Sequence, residues 1–310
     1  MDKRRRPNPK LRIAVLICTG VVLVSMIFAM STSLAHTEVV RPSVEVSSLP
    51  REMGLDLAAS DAIYISEAEQ EAAVKRIVKL KQPLFCGGTK KYAALTFDDG
   101  PSTITPELIK LLKDEGLPAT WFNLGNNSNT YPENLKAQAA YGPVANHSWD
   151  HPAFTTLSTQ DIRTQLADTQ DVFKQATGQD WKMMRPPYGA RDDQTERTIR
   201  RAGYAEMLWS ADSQDGLAKP ADTIAENTIN GLGPGAILLF HDGKPETIKA
   251  FKSKIIPAIR KSDLTMVTLP ELLVLNPPSE AQLAAGAMGC THAGKVNVSG
   301  SYLQSPEMAR

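Results

Sequence analysis

Neither sign of charge is in excess in this 310-residue chain: 34 lysines and arginines face 34 aspartates and glutamates. The electrostatic case for a nucleic-acid partner is therefore missing. Histidine and cysteine are scarce, with five of the first and three of the second. No 20–50-residue repeat runs through the chain, which argues against a solenoid. Long apolar runs are also lacking, apart from a single one near the start. Hydrophobic content is 42%, ordinary for a globular protein, and the length suits one large domain or two small ones.

The one long apolar run follows a basic stretch, "MDKRRRPNPKLR", and spans 18 uncharged residues, Ile13 to Met30. The pattern reads either as a signal peptide, with Ser33-Leu34-Ala35 as a small-x-small cleavage site, or as a single transmembrane anchor. In both readings the basic flank stays in the cytoplasm and the rest of the chain lies outside, anchored or secreted. Residues 1–12 are thus a basic tail, 13–35 the apolar segment, and 36–65 an aperiodic linker. Residues 66–276 read as the main domain and 277–310 as a tail. Cys18 sits in the apolar segment. Cys86 and Cys290 flank the main domain on the exported side, where a disulfide persists, so the two are expected to pair.

"SEAEQEAAVKRIVKL" reads as a helix capped by Ser66, with Glu69 completing a capping box. From Tyr92 on, short apolar runs alternate with amphipathic stretches. The runs are "YAALTF", "PATWFNL", "GPVAN", "WKMMR", "YAEMLWS", "GAILLF" and "TMVTL". Helices are expected from Thr105 to Gly116, from Ser158 to Gly178, and over about 192–202, 220–231 and 246–261. Strands separated by helices pair in parallel. The seven runs predict a closed or nearly closed β/α barrel, with a doubly wound open sheet as the rival.

Polar groups follow five of these runs. Asp98-Asp99-Gly100-Pro101 follows "LTF", and His147-Ser-Trp-Asp-His151 follows "VAN". Arg185-Pro-Pro-Tyr188-Gly189 follows "MM", Asp212 follows "LWSA", and His241-Asp242 follows "ILLF". Functional groups of parallel α/β proteins gather at the carboxyl ends of strands. His147 and His151 are four apart, which on a helical turn sets both imidazoles on one face. With a carboxylate from another strand they form a His₂Asp set, leaving a coordination position open, as catalytic zinc sites do. One of the paired aspartates then binds a metal while the other stays free as a general base. Leu239 and His241 alternate along one strand and so face the same side. Leu239 then lines the same pocket as His241 in this reading; an ordinary core leucine is the alternative.

The motifs "TFDDGP", "NHSWDHP", "RPPYG", "WSADSQD" and "ILLFHD", in this order and within residues 90–275, make the chain resemble the polysaccharide deacetylases of carbohydrate esterase family 4, the NodB homology domain. The resemblance implies a distorted (β/α)7/8 barrel. It implies Asp98 as base, and Asp99 with His147 and His151 as ligands of Zn²⁺ or another divalent ion such as Co²⁺. It implies Arg185 pairing with Asp98, His241 as general acid oriented by Asp212, and the Tyr188 backbone N–H holding the oxyanion. The expected reaction is hydrolysis of a linear amide: removal of N-acetyl groups from an N-acetylglucosamine polymer, either peptidoglycan or a chitin-like oligosaccharide. An acetylxylan O-deacetylase shares these residues, and a catalytically inactive carbohydrate-binding domain is a further alternative. One departure stands out. The family usually has Trp after the second aspartate of Asp-x-x-Asp, and here Gly216 follows Asp215, which alters the groove. Trp149 and Trp209 are candidate sugar contacts, with ordinary core packing as the alternative for each.

Overall fold

The computed structural model describes residues 64–291. The readings for the basic tail, the apolar segment, nearly all of the linker and the end of the tail lie outside those residues. Among the described residues no helix is long and apolar enough to cross a membrane.

Helix α1 (Glu67–Leu80) starts at Ser66, whose hydroxyl accepts from the Glu69 N–H while Glu69 reaches back to the Ser66 N–H. Its Val74 and Ile77 are buried. The strands are β1 (Tyr92–Asp98), β2 (Ala119–Asn123), β3 (Val144–Asn146), β4 (Met183–Met184), β5 (Ala205–Glu206), β6 (Ala211–Asp212), β7 (Ile237–His241) and β8 (Thr265–Val267). Between them run α2 (Thr105–Asp114), α3 (Gly125–Thr130), α4 (Pro132–Tyr141), α5 (Thr159–Thr177), α6 (Asp193–Arg201) and α7 (Ala221–Gly231). Next come α8 (Pro245–Ala250), a π turn at Phe251–Ile255, and α9 (Ile256–Lys261). After β8 follow α10 (Leu269–Leu275) and α11 (Glu280–Ala284). The expected boundary signals operate: Ser158 caps α5 and Gly178 ends it with φ 75°. Pro257 at the start of α9 lacks the N–H that an unbroken helix needs, which accounts for the π turn before it.

Every strand pair is parallel, in the order β5-β4-β3-β2-β1-β7-β6, with β8 pairing the start of β1. Neighbours in space follow the chain around in sequence. This is a barrel opened between β5 and β6, and not the reversing order of a doubly wound sheet. The run "YAEMLWS" is not one strand. Its first residues form β5 at one edge, and β6, pairing β7, lies just beyond its end. The residues between are carried by Leu84, whose N–H donates to Glu206 and whose carbonyl accepts from Leu208. A residue outside the alternating pattern thus bridges the gap, which the pattern alone does not reveal.

The core lies on both faces of β1, as parallel strands covered on both sides require. Phe97 packs one way, on Trp121, Phe240 and Phe251 at ring distances of 5.2, 5.4 and 5.9 Å. Thr96 and Asp98 point the other way, toward Arg185. The tail returns to the domain: Cys86 and Cys290 form a disulfide with Cα atoms 5.9 Å apart, closing a loop across 204 positions.

Candidate active site

Register decides what meets at the carboxyl end of the sheet. Asp98 of β1 is directly opposite His241 of β7, and Thr96 is opposite Leu239. Asn146 of β3 is opposite Met184, so His147 and Arg185 leave adjacent strands together. The resulting cleft, about 120 Å³, is lined among others by Asp98, Asp99, His147, His151, His241 and Lys244.

Adjacent strand residues ordinarily point apart. Asp99 escapes this because its backbone is left-handed, φ 67°, a conformation that aspartate tolerates better than most residues. Gly100 follows where a Cβ would lie 2.7 Å from Asp242 Oδ2 and 2.8 Å from Asn123 Oδ1. The histidines meet by a different route from the helical turn expected of their spacing. Residues 147–153 form an irregular loop. Left-handed Ser148 and His151, with φ 75° and 67°, fold it back on itself. The rings end with centroids 5.0 Å apart.

The donor atoms of Asp99, His147 and His151 lie within 4.8 Å of one another. Asp99 Oδ1 is 3.5 Å from His147 Nε2 and 3.4 Å from His151 Nε2. Two ligands at roughly 2.1 Å from a shared tetrahedral centre sit about 3.4 Å apart, so these spacings fit a cation. Asp99 Oδ1 is buried and has no hydrogen-bond partner, as an atom reserved for a metal should be. His147 Nδ1–H donates to the Arg185 carbonyl at 2.7 Å, which leaves the Nε2 lone pair facing Asp99. Burial pushes both ring pKa values down to about 4, so the imidazoles are neutral donors at pH 7. Burial alone would raise Asp99, but the surrounding His241, His147, His151 and Lys244 outweigh it and hold its carboxyl below the usual value.

Asp98 is fully enclosed. Its Oδ1 accepts from Arg185 Nη1 at 2.6 Å, and its Oδ2 faces His147 Nε2 at 3.6 Å. Arg185 has no exposed surface. Its Nη1 also donates to the Thr96 hydroxyl, Nε and Nη2 donate to the carbonyls of Met207 and Leu208, each of the three at 3.0 Å, and its Cζ lies 4.2 Å from the centroid of the Phe122 ring. Burial lifts the Asp98 pKa to about 6 against the opposing charge of Arg185. That places it where a general base for neutral pH belongs.

His241 shows the opposite balance from the other two histidines. Burial presses its pKa down, yet the buried Asp215, whose Oδ1 is 2.7 Å from Nδ1, lifts it to about 10. The ring is therefore protonated at pH 7, with Nδ1–H given to Asp215 and Nε2–H left over.

The polysaccharide deacetylase family model matches residues 87–207. A peptidoglycan-N-acetylglucosamine deacetylase of Bacillus cereus is 32% identical over 188 residues, which cover 59% of this chain and 68% of that protein. The chain belongs to the polysaccharide deacetylase family. Another member, the peptidoglycan-N-acetylglucosamine deacetylase of Listeria monocytogenes, is 36% identical over 186 residues. The match covers 59% of this chain but only 39% of the Listeria protein. A solved family 4 carbohydrate esterase from Streptomyces lividans, in complex with acetate, superposes with a TM-score of 0.56 at 33% identity, over 63% of this chain and all of the other.

Within this deacetylase-family domain, Asp212 is not the partner of His241. It ends β6 and its Oδ1 accepts from the Gln214 N–H at 2.7 Å, forming a turn. Left-handed Gln214, φ 61°, then swings Asp215 under His241. Asp215 receives the His241 backbone N–H at 2.9 Å, its ring N–H, and the Thr247 hydroxyl at 2.6 Å. Asp212 stays near enough to Arg185 to support its charge. Both aspartates were visible in "ADSQD", but strand alternation says nothing about residues beyond the strand.

Leu239, Trp209 and Tyr188 all line the cleft. Tyr188 has φ 62° and sets its ring edge-on against His151, 4.4 Å between centroids. Trp149 is half-buried and packs beside Gly125 instead of facing the cleft. Asp242, unassigned by sequence reading, anchors the site from below. It accepts from Ser102, Thr105 and Gln138 at 2.8, 2.5 and 3.0 Å, tying the end of β7 to the turn after β1. Lys244, also unassigned, reaches the cleft from the following turn.

Proposed function

We propose that this chain is a metal-dependent hydrolase that removes N-acetyl groups from an N-acetylglucosamine-containing polysaccharide, with peptidoglycan ahead of chitin-like oligosaccharide. The observation that carries this reading is the division of labour in one cleft. A neutral His₂Asp donor set stands beside an Arg-paired carboxylate and a separate, protonated imidazole.

Asp99, His147 and His151 would hold a divalent ion, zinc in first place with cobalt as a substitute in vitro. When bound, such an ion polarises the acetyl carbonyl and lowers the pKa of water. Asp98, held at Oδ1 by Arg185, accepts the proton of the attacking water at its free Oδ2. The N–H of Tyr188, on its left-handed turn, is the protein's donor for the developing oxyanion. Leu239 and Trp209 provide apolar walls for the acetyl methyl. His241 Nε2–H delivers a proton to the departing amine, while Asp215 keeps the ring charged and oriented. A cell-wall polymer is accessible to this domain if the basic and apolar N-terminal segments direct it outward. The similarity of the chain to two bacterial peptidoglycan deacetylases supports the same choice.

Acetate release by purified protein from chitin oligomers, peptidoglycan and acetylated xylan tests the reading. Release from the first two, dependent on added zinc or cobalt, is the expected result. Release from xylan alone makes the protein an O-deacetylase, and release from none overturns the enzymatic reading.

A further inference from the structure

We propose that Lys244 determines specificity by reading a carboxylate on the substrate glycan, an inference that rests on the deacetylase reading above. Among the described residues Lys244 is the only lysine or arginine that lines the cleft. Among the described residues it forms no ion pair within 4.0 Å, although its charge is felt by Asp99. The other charges of the site are engaged. Asp98 is bound to Arg185, Asp215 to His241, and Asp99 lies among the metal-donor histidines. A half-buried lysine lining a substrate cleft without an ion-pair partner is a site for an anion that arrives with the substrate.

Its backbone is held at both ends. Asp242, two residues before, is fixed by Ser102, Thr105 and Gln138. Thr247, three residues after, donates its N–H to the Lys244 carbonyl at 3.1 Å and its hydroxyl to Asp215. The ammonium therefore stems from a fixed point and not from a free loop, so less ordering is required on binding.

The backbone of Gly216 lies close against the His241 ring. A Cβ there would lie 2.8 Å from His241 Cε1 and 3.2 Å from both ring nitrogens. The turn after Asp215 thus presents only backbone to the imidazole. An acetylated amino sugar with a carboxylate in an adjacent ether or peptide substituent fits this arrangement. A neutral chitin strand leaves the lysine unused.

The test compares kcat/KM on three probes. They are a peptide-free glycan strand carrying muramic-acid lactyl carboxylates, the same strand with those carboxylates reduced to alcohols, and the peptide-bearing strand. Chitotetraose serves as the neutral reference. The carboxylate form should be preferred to the reduced form by about tenfold, the size of one charge-assisted hydrogen bond, mainly through KM. Lys244→Met should bring this ratio near one, and Lys244→Arg should retain most of it. A preference confined to peptide-bearing strands, abolished by Lys244→Met, makes the peptide carboxylate the source and keeps the role of Lys244. Equal kcat/KM on all three strands in the wild-type protein, or a preference unchanged in Lys244→Met, overturns the inference while acetate release from chitotetraose leaves the deacetylase reading standing. Absence of acetate release from every probe overturns both.

Discussion

Three histidines share one cleft, and its two sides treat them in opposite ways. On the β3 side, the buried His147 and the half-buried His151 stand beside a carboxylate they share, and desolvation wins: their pKa values fall to about 4. On the β7 side, His241 has a carboxylate of its own, buried and bonded, and the charge wins: its pKa rises to about 10. A lone-pair donor and a proton donor are thus made from the same residue type. What separates them is whether the ring N–H goes to a carbonyl, as His147 gives to Arg185, or to a carboxylate, as His241 gives to Asp215.

The comparison breaks most severely on the donor side. His147→Ala or Asp99→Asn should lose bound metal and lower turnover by about 10³ or more, because the main source of transition-state charge stabilisation goes with it. Metal content by elemental analysis beside activity checks this, and a fully loaded, fully active His147→Ala protein would refute it. Asp98→Asn should keep the metal and lose on the order of 10³ in turnover, within the range of a general base. Equal metal loss in Asp98→Asn and Asp99→Asn would show that the two aspartates do not divide the work.

On the proton side, Asp215→Asn should retain metal and reduce amide turnover by about 10², in the range for acid catalysis. Its decisive readout is the titration of His241 by NMR, which should move down from about 10, since burial is then unopposed by the adjacent charge. Asp212→Asn should leave that titration where it is. An unchanged His241 titration in Asp215→Asn would remove the assignment.

The pH profile sharpens the same contrast with a smaller effect. Activity should rise with pH as Asp98 loses its proton, at about 6 or below, because a bound cation favours the carboxylate. It should fall again toward pH 10 as His241 loses its own. An alkaline limb already complete near pH 7 would mean that Asp215 does not hold the charge. The smallest effect on chemistry belongs to the disulfide. Replacing Cys86 and Cys290 by Ser should lower stability by about 2–5 kcal/mol and leave metal binding in place, since the bond ties the tail and not the cleft. Chemical denaturation of the two proteins measures it.

Much of this arrangement was legible from residue order alone. Alternating apolar runs and helix caps such as Ser66, Ser158 and Gly178 mark local preferences that need no distant partner. The same holds for the identity of the polar residues at the strand ends: Asp98, Asp99, His147, His151, Arg185 and His241 stand where a strand stops. Tertiary structure alone settled which of them meet. The pairing of Asp98 with His241 follows from register between strands far apart in the chain. The backbone between β5 and β6 finds its partner in the distant Leu84, and the choice of Asp215 over Asp212 rests on a left-handed turn at Gln214. The protonation states also belong to the fold. A histidine's pKa is set by what surrounds it in space, and sequence spacing contains neither burial nor the direction of a ring N–H.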